Sequence, residues 1–416
     1  MGRRQHPYRR VSVRILVVTD RFPPAFHGGY EIECAGVVAH LRREHDVTVL
    51  TSSLGRRGTP VEPGVVRRLP FVAPGWLDSI TAPADQLRAA RVAREVIATA
   101  MPDLVFVWNG SGLPYVALQV LTRSGAPLAF RVCEQWFGGL WGQDRFIRHL
   151  EAGETGLRGL WARGMRLVDR LPQLRAGAPH PPVPAAISYN SAFLRDTVGV
   201  PAPIAPTLVE VIHPATPHSE AMADVARIPA PTPVVLFVGR LESQKGAQVA
   251  IAALARLSGT PDLGDTELVL VGNGTPARAR ELTALARSAG VGGRVRLTGP
   301  LIGAALHAEV ARAWAWVVPS LWDEPAGLVC VEACLARVPL VAARVGGIPE
   351  LVRDGIEASL FDRGDDEACA AALAAALRGG PEIVERVARA TTRAHELGLG
   401  PYLEATDRFV QRAVAG

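Results

Sequence analysis

The chain has 416 residues, a length that predicts two domains with large buried cores. Hydrophobic residues make up 48% and charged residues 20% of the sequence, which excludes a wholly disordered chain, a collagen-like chain and a small disulfide-bonded scaffold. The 45 basic and 40 acidic residues leave a net charge of +5, which is too weak to indicate nucleic-acid binding, and no nucleic-acid partner is expected.

The first residues of the chain combine a basic start with a short apolar run. This run contains Arg14 and ends in Thr19-Asp20 rather than at a small-residue cleavage site, so we interpret it as a first strand and not as a secretion signal. The long uncharged stretch at 104–122 is interrupted by polar and turn-forming residues, and no transmembrane helix is expected. The five cysteines include no CxxC pair, which favours reduced, buried thiols and a cytoplasmic location.

Strand-like apolar runs alternate with helical patterns through both halves of the chain, which is typical of βαβ units and of parallel sheets covered by helices. We therefore predict an α/β fold with two doubly wound, Rossmann-like domains that face a cleft. Ligands are expected at the carboxyl ends of the strands. The predicted strands are residues 15–19, 47–51, 104–108, 128–132 and 185–189 in the first half, and 234–239, 267–272, 294–299, 314–320 and 338–343 in the second.

The domain boundary is expected where the periodic pattern fails and turn-forming residues accumulate. Residues 213–233 fit this description and are predicted to be a linker. The first domain then covers residues 1–212 and the second covers residues 234–390. A final helical segment, residues 391–416, follows the second domain and can pack back on the first.

Residues 156–177 do not fit the repeating pattern, because they carry five arginines against a single aspartate. Their apolar residues recur near helical spacing, so the segment could form a basic amphipathic helix that touches anionic lipid or a charged acceptor. A helix that packs on the first domain with its arginines in solvent is the alternative. The first interpretation would add peripheral contact with an anionic membrane to the cytoplasmic location.

Nearly all basic residues of the chain are arginines, and Lys245 is the only lysine. Arg240 follows a predicted strand directly and Lys245 comes five residues later, at the mouth of the predicted cleft. A compact ammonium group fits a tight phosphate site differently from a planar guanidinium. Two cations at this place could bind a diphosphate, whereas two ordinary cations in a solvated loop are the alternative.

A pair of glycines and a pair of glutamates mark two further candidate sites. Gly28 and Gly29 precede a helix predicted to begin near Tyr30, where free backbone amides can hold an anion. Glu324 and Glu332 are eight positions apart, and a helix beginning near 325–327 would place Glu332 about two turns inside it. The alternative for these carboxylates is a helix-stabilising charge and a salt bridge within the helix.

These motifs together resemble the retaining glycosyltransferases of family 4, which have the GT-B fold. The resemblance is carried by GRLESQKG, ELVLVGNGT, RVRLTG, PSLWDEPAGLVCVEA and VGGIPELV in the second half, and by HGGYE, HDVTVLT, PDLVFVW and ISYNSAFLRD in the first. It extends over essentially the whole chain. Two carboxylates with seven residues between them, and an arginine and a lysine upstream, are its most specific feature.

The resemblance implies a nucleotide-diphosphate sugar as donor, with a UDP-sugar expected, and a hydroxyl group as acceptor. Arg240 and Lys245 would bind the diphosphate, Glu324 would bind the transferred sugar, and these three would be the catalytic residues. Glu332 would bind the ribose. Retention of the anomeric configuration by front-face attack is implied. The remaining donor-binding residues would be Gly28, Gly29, Gly239, Gly272, Gly274, Thr298, Gly299, Ala326, Gly327 and Leu328.

The chain departs from the family pattern at two places. Many members carry a histidine after the strand equivalent to 128–132, where this chain has Cys133-Glu134, and the family often has phenylalanine where this chain has Ala326. The acceptor is not defined by the sequence. Asn109, Glu134 and Trp136 are candidates for its site, and Trp108, Trp141 and Trp161 could also stack on a sugar ring or belong to the core. No Asp-x-Asp motif is present, so neither a metal ion nor another cofactor is expected.

Two other functions remain open from the sequence. A nucleotide-sugar epimerase or hydrolase on the same fold would need carboxylates placed for proton transfer at the sugar. A non-catalytic nucleotide-sugar-binding scaffold would use the arginines of residues 156–177 to dock on a membrane, and the missing histidine near Cys133 is the feature that favours it.

Overall fold

The computed structural model describes residues 12–25, 28–55, 61–72, 78–139, 159–160, 163–164 and 182–416. The chain divides into two compact units. The first contains Met1–Asn190, Leu194–Ile212 and Leu403–Gly416, and the second contains Ser191–Phe193 and His213–Tyr402.

The first unit is built on a parallel sheet of seven strands. Its strands are β1 Arg14–Thr19, β2 Asp46–Ser52, β3 Val65–Leu69, β4 Leu104–Asn109, β5 Leu128–Val132, β6 Val183–Tyr189 and β7 Ile204–Val211, in the order β3-β2-β1-β4-β5-β6-β7. Its helices include α1 Gly29–Leu41, α2 Asp78–Ala100, α3 Tyr115–Thr122 and α4 Ala192–Val198, the first residues of which count with the second unit. The central strands β1, β4 and β5 are mostly apolar and are buried almost along their whole length, because helices cover the sheet.

The second unit is built on a parallel sheet of six strands. Its strands are β8 Val234–Val238, β9 Glu267–Val271, β10 Val295–Gly299, β11 Ala315–Val318, β12 Leu340–Ala343 and β13 Ser359–Phe361, in the order β10-β9-β8-β11-β12-β13. Its helices are α5 Pro217–Glu220, α6 Ala247–Leu257, α7 Pro276–Ser288, α8 Gly303–Arg312, α9 Leu328–Leu335, α10 Ile348–Leu351, α11 Asp366–Arg378 and α12 Pro381–Glu396. A last helix, α13 Leu399–Ala415, continues into the first unit.

The prediction of two doubly wound α/β domains is confirmed, and all ten predicted strands are present. Three strands were missed: β3, β7 and β13. Each of them is an edge strand. Edge strands are covered less completely than central ones, so their sequences need no continuous apolar run; β3 contains two arginines and β7 a proline.

Each sheet has a point at which the order of its strands changes direction. In the first unit the chain moves outward from β1 to β2 and β3, and then returns to β4 on the other side of β1. In the second unit the same change occurs between β8 and β11. Ligands of doubly wound folds bind outside the carboxyl ends of the two strands at such a switch point.

Residues 213–233, expected to be a linker, are folded into the second unit. Pro217 opens α5 after Thr216, whose hydroxyl accepts a hydrogen bond from the Ser219 amide, so the prolines and polar residues of this segment start a helix. Met222 and Val225 are buried in the core of this unit. The crossover between the two units lies at Ile212–His213.

The end of the chain is helical, as expected, but it is shared between the two units. Helix α12 belongs to the second unit, and the residues from Leu403 onward belong to the first. There Phe409 lies 6.0 Å from the ring of Phe106, and Asp407 lies 2.9 Å from the His40 ring. The boundary predicted at 390/391 therefore differs from the observed one at 402/403.

Most of the basic segment 156–177 lies outside the described residues. All five cysteines are buried and free of disulfides. Of the helices the structure describes, none is both long enough and apolar enough to cross a membrane. In the same part of the chain, no three histidine, cysteine or acidic side chains come together as metal ligands would.

Candidate functional site

The central feature of the second unit is an ion pair at its switch point. Lys245 follows β8, and Glu324 follows β11. The Lys245 Nζ atom lies 2.8 Å and 2.9 Å from the two carboxylate oxygens of Glu324. The sequence predicted both residues as site residues, and the structure brings them into direct contact although they are 79 positions apart.

Two residues missed by the sequence analysis complete this cluster. The Ser320 hydroxyl donates to Glu324 Oε1 at 2.6 Å, and the Lys245 ammonium lies 4.8 Å from the centre of the Trp322 ring. Glu324 is buried, with 7% exposure, and its charge is matched by the ammonium group and the hydroxyl. The signal for both residues was their place in the loop after a buried strand.

Glycine allows the two loops to approach each other. Gly246 has φ +76°, and a Cβ atom there would lie 1.7 Å from the carbonyl oxygen of Pro319. One residue beyond Ser320, the amide of Leu321 donates to the Gln244 carbonyl at 2.8 Å. The backbone contact therefore fixes the position of Lys245 relative to Ser320 and Glu324.

Arg240 is the second predicted cation of this loop. Its guanidinium donates to Glu242 Oε1 at 2.8 Å, and about a third of the side chain is exposed. Glu242 Oε2 also accepts a hydrogen bond from the side-chain amide of Gln244 at 2.9 Å. The guanidinium thus lies at the carboxyl end of β8, held by a carboxylate of its own loop.

The glycines predicted to approach the ligand line the loops after β8 and β9. A Cβ atom at Gly272, with φ +156°, would lie 1.7 Å from the Gly239 carbonyl oxygen, and one at Gly274 would lie 2.9 Å from Leu241 Cβ. Gly272 also donates its amide to the Gly299 carbonyl at 3.0 Å. Gly272 and Gly274 need to be glycines because the loops pack closely on one another. In the neighbouring loop, the Thr298 hydroxyl donates to the Gly299 carbonyl at 2.8 Å.

Helix α9 begins at Leu328 with Gly327, at φ +93°, as its N-cap. Over residues 182–416, the amides of Ala326, Gly327 and Leu328 have no hydrogen-bond acceptor. They are therefore donors at the positive end of a helix. Because the helix starts later than expected, Glu332 is its fifth residue and lies about one turn inside it, not two.

Glu332 contacts the segment that was expected to be a linker. Its Oε1 accepts from the Ser219 hydroxyl at 3.1 Å, and Ser219 is in turn 3.0 Å from Thr216 Oγ1. Burial raises the pKa of Glu332, while the nearby His218 and the hydrogen bond from Ser219 act in the opposite direction. The hydroxyls of Ser219 and Thr216 are partners that the sequence analysis did not identify.

In the first unit, the predicted residues gather at the carboxyl ends of β1, β4 and β5. Gly28 is the N-cap of α1, and its amide donates to Glu31 Oε2 at 2.9 Å, so that Gly29 opens the helix. Asn109 ends β4, and its Oδ1 accepts from the Ser111 amide at 2.9 Å. Glu134 follows β5 and acts electrostatically on Tyr30 and Asp20.

The aromatic residues proposed for the acceptor side belong to the core. Trp136 is 5% exposed and packs edge-on against Phe137 at 5.7 Å, and Trp108 is fully buried. Neither ring offers a free face for stacking on a sugar. Trp141 and Trp161, which were considered with them, lie outside the described residues.

A residue not identified from the sequence, Asp20, lies at the switch point of the first unit. It follows β1 directly and is 2% exposed. Burial raises the pKa of its carboxyl to about 7; Glu31 and Glu134 act in the same direction, and Arg21 and the hydrogen bond from Ser111 act against it.

The family model described as "Glycosyl transferases group 1" matches residues 219–394. Two similar proteins are each named D-inositol 3-phosphate glycosyltransferase. The protein of Corynebacterium diphtheriae is 36% identical over 173 residues, 41% of this chain and 40% of its own length. That of Thermobifida fusca is 41% identical over 143 residues, 33% of each chain. The chain thus matches less than half the length of these relatives.

Solved structures match over nearly the whole chain. HepE of Anabaena, solved with UDP and glucose, has a TM-score of 0.63 at 19% identity and covers 96% of this chain and 99% of its own. The sucrose-phosphate synthase of Thermosynechococcus elongatus has a TM-score of 0.68 at 19% identity, with 96% and 99% covered. A glycosyltransferase of Rickettsia africae has a TM-score of 0.69 at 14% identity, with 97% and 99% covered. At these identities the likeness concerns the fold.

Proposed function

From the match of residues 219–394 to the glycosyl transferases of group 1, we propose that the chain transfers a sugar from a nucleotide-diphosphate donor to a hydroxyl group. The observation that supports the proposal best is the contact between Lys245 and Glu324 at the switch point of the second unit. In the proposed roles, the cation for the diphosphate would lie beside the carboxylate for the sugar.

The proposed mechanism follows from the charges of the reaction. As the bond between the sugar and the diphosphate breaks, negative charge grows on the diphosphate and positive charge on the sugar ring. Lys245 and Arg240 would stabilise the former. The diphosphate would draw Lys245 away from Glu324, whose carboxylate would then accept hydrogen bonds from the sugar hydroxyls beside the free amides of Ala326 to Leu328.

We propose that the transfer retains the anomeric configuration. In a front-face attack the leaving diphosphate accepts the proton of the acceptor hydroxyl while the new glycosidic bond forms on the same face. This route needs no separate base in the second unit, whose carboxylates Glu324 and Glu332 are already held by Ser320 and Ser219. Analysis of the product anomer by NMR tests retention directly.

The donor is proposed to be a UDP-sugar, because HepE, which shares the fold, was solved with UDP and with UDP-glucose. Glu332 would bind the ribose hydroxyls. The acceptor is proposed to be a polyol, and since the matched relatives are named for D-inositol 3-phosphate, this compound is the first to try. A metal ion is not required in this proposal, because Lys245 and Arg240 would balance the diphosphate.

The donor is tested by thermal stabilisation with UDP-, GDP-, ADP- and dTDP-glucose. We expect one nucleotide series to raise the melting temperature, because a ligand that binds only the folded state stabilises it by mass action. Replacing Glu332 with glutamine should reduce the affinity for that series about tenfold or more, since it removes a charged partner of the ribose. The exposed Glu385→Gln on α12 is the matched control and should change nothing.

The result distinguishes a wrong choice of nucleotide from a wrong function. Stabilisation by GDP- or ADP-glucose in place of UDP-glucose would correct the nucleotide and keep the function. Stabilisation by none of the four, with a folded protein, would contradict the proposed function.

A further inference from the structure

The switch point of the first unit carries the same kind of arrangement as that of the second. In the second unit, the loops after β8 and β11 bring Lys245 and Glu324 together. In the first, the loops after β1 and β4 bring together Asp20 and Ser111, whose hydroxyl donates to Asp20 Oδ2 at 3.2 Å. The amide of Asp20 also donates to the Asn109 carbonyl at 2.9 Å, which fixes the carboxylate at this place.

The second oxygen of this carboxylate has no partner in the part of the chain that the structure describes. Asp20 Oδ1 is buried and has no hydrogen bond to any described residue. Buried carboxylate oxygens are almost always hydrogen-bonded, since burial removes the water that would otherwise solvate them. An oxygen that is held at a ligand-binding edge without a donor is a place where a ligand can supply the donor.

A half-buried pair of side chains, Arg21 and Phe71, lies beside the carboxylate. A Cβ atom at Gly112 would lie 2.9 Å from Asp20 Oδ2 and 2.4 Å from the Phe71 ring, so both groups pack against this glycine. The guanidinium of Arg21 lies 5.0 Å from the centre of the same ring. Displacement of this stacked pair by a ligand would open Asp20 from the solvent side.

We propose that Asp20 binds the acceptor of the transfer reaction, by accepting a hydrogen bond at Oδ1 from an acceptor hydroxyl. This rests on the proposed function and adds the residue that holds the acceptor. A hydroxyl fits the site because Oδ1 needs one hydrogen-bond donor. The charged groups Arg21, Glu31 and Glu134 already act on Asp20, so a neutral donor adds no further charge to the site.

The activity test compares the wild type with Asp20→Asn, which keeps the size of the side chain and removes its charge. Release of UDP from UDP-glucose is measured with and without D-inositol 3-phosphate, glycerol 3-phosphate or glucose as probe acceptors. We expect the acceptor-dependent rate of Asp20→Asn to fall at least tenfold, mainly through a higher KM for the acceptor. Stabilisation by UDP should be unchanged. The control is Asp46→Asn, an exposed carboxylate at the opposite end of the strands.

A second test does not depend on activity. Since the pKa of Asp20 is raised to about 7, the folded protein holds this proton more tightly than the unfolded chain, and stability falls as the pH rises from about 4 to 7. The melting temperature of Asp20→Asn relative to the wild type should therefore be higher at pH 8.5 than at pH 5. The exposed Asp46→Asn should show no such difference.

The outcomes distinguish the two proposals. If UDP stabilises the wild type and Asp20→Asn keeps its acceptor-dependent rate within threefold, Asp20 does not bind the acceptor. If Asp20→Asn is less stable than the wild type at pH 8.5, the carboxylate is a structural group and the proposal is overturned, whether or not an acceptor is found. If none of the four nucleotide sugars stabilises the folded protein, the proposed function alone is contradicted.

Discussion

Replacement of Lys245 with alanine is expected to lower kcat/KM for the sugar donor about 10²- to 10³-fold, which corresponds to about 3–4 kcal/mol of transition-state stabilisation. Part of this loss is the contact with the diphosphate, which is charge-assisted on both sides. The Glu324 carboxylate, with 7% exposure, would also lose the ammonium that lies 2.8 Å from it in the free protein and keep only the Ser320 hydroxyl, so it would be held less firmly in place for the sugar. Steady-state kinetics with UDP-glucose measures the total loss in kcat/KM.

Two further variants define the cause of the loss. Lys245→Arg keeps the charge but replaces a compact ammonium with a planar group, and we expect a smaller loss of about tenfold. Arg378→Ala removes an exposed cation of the same unit, which pairs only with Asp262 at the surface, and should leave kcat/KM unchanged. A Lys245→Ala variant that keeps kcat/KM within threefold of the wild type would show that Lys245 does not serve the donor.

Replacement of Gly246 with alanine is expected to destabilise the second unit by about 3 kcal/mol or more. The left-handed conformation at φ +76° alone costs an alanine about 1–2 kcal/mol. The larger part of the cost would come from the Cβ atom, which would lie 1.7 Å from the Pro319 carbonyl oxygen and force the two loops apart. Calorimetry, with the transition of the second unit assigned by its shift with UDP, measures the change.

Gly290 provides the matched control for this substitution. It has φ +74°, and a Cβ atom there would meet nothing within 4 Å. Gly290→Ala should therefore show only the conformational cost, and the difference between the two variants measures the contact between the loops. Equal destabilisation by both variants would mean that the loops can separate freely, and that Gly246 does not fix the position of Lys245.

The sequence predicted the central parts of the fold because they are fully buried. A strand such as β4, covered by helices on both faces, requires an uninterrupted apolar run, and such runs are visible without a structure. The edge strands β3, β7 and β13 are under no such requirement. The segment 213–233 was predicted to be a linker because proline usually interrupts regular structure, whereas Pro217 here occupies the first turn of a helix.

The candidate site was predictable in its parts but not in its contacts. Lys245 was noticeable as the only lysine, and Glu324 and Glu332 by their spacing. The ion pair between Lys245 and Glu324, and the hydroxyls of Ser320 and Ser219, depend on which loops meet in space. Asp20 was missed because an aspartate after a strand is common in turns, and only its burial and its unpartnered oxygen distinguish it.

The central claim, that the ion pair at the second switch point receives a diphosphate, is tested most directly by calorimetric titration of the wild type with UDP and with UMP in the presence of EDTA. We expect UDP to bind at least tenfold more tightly than UMP, because only the diphosphate reaches Lys245, and we expect Lys245→Ala to abolish this difference. Equal affinities for UDP and UMP, or a preference for UDP that survives in Lys245→Ala, would contradict the account.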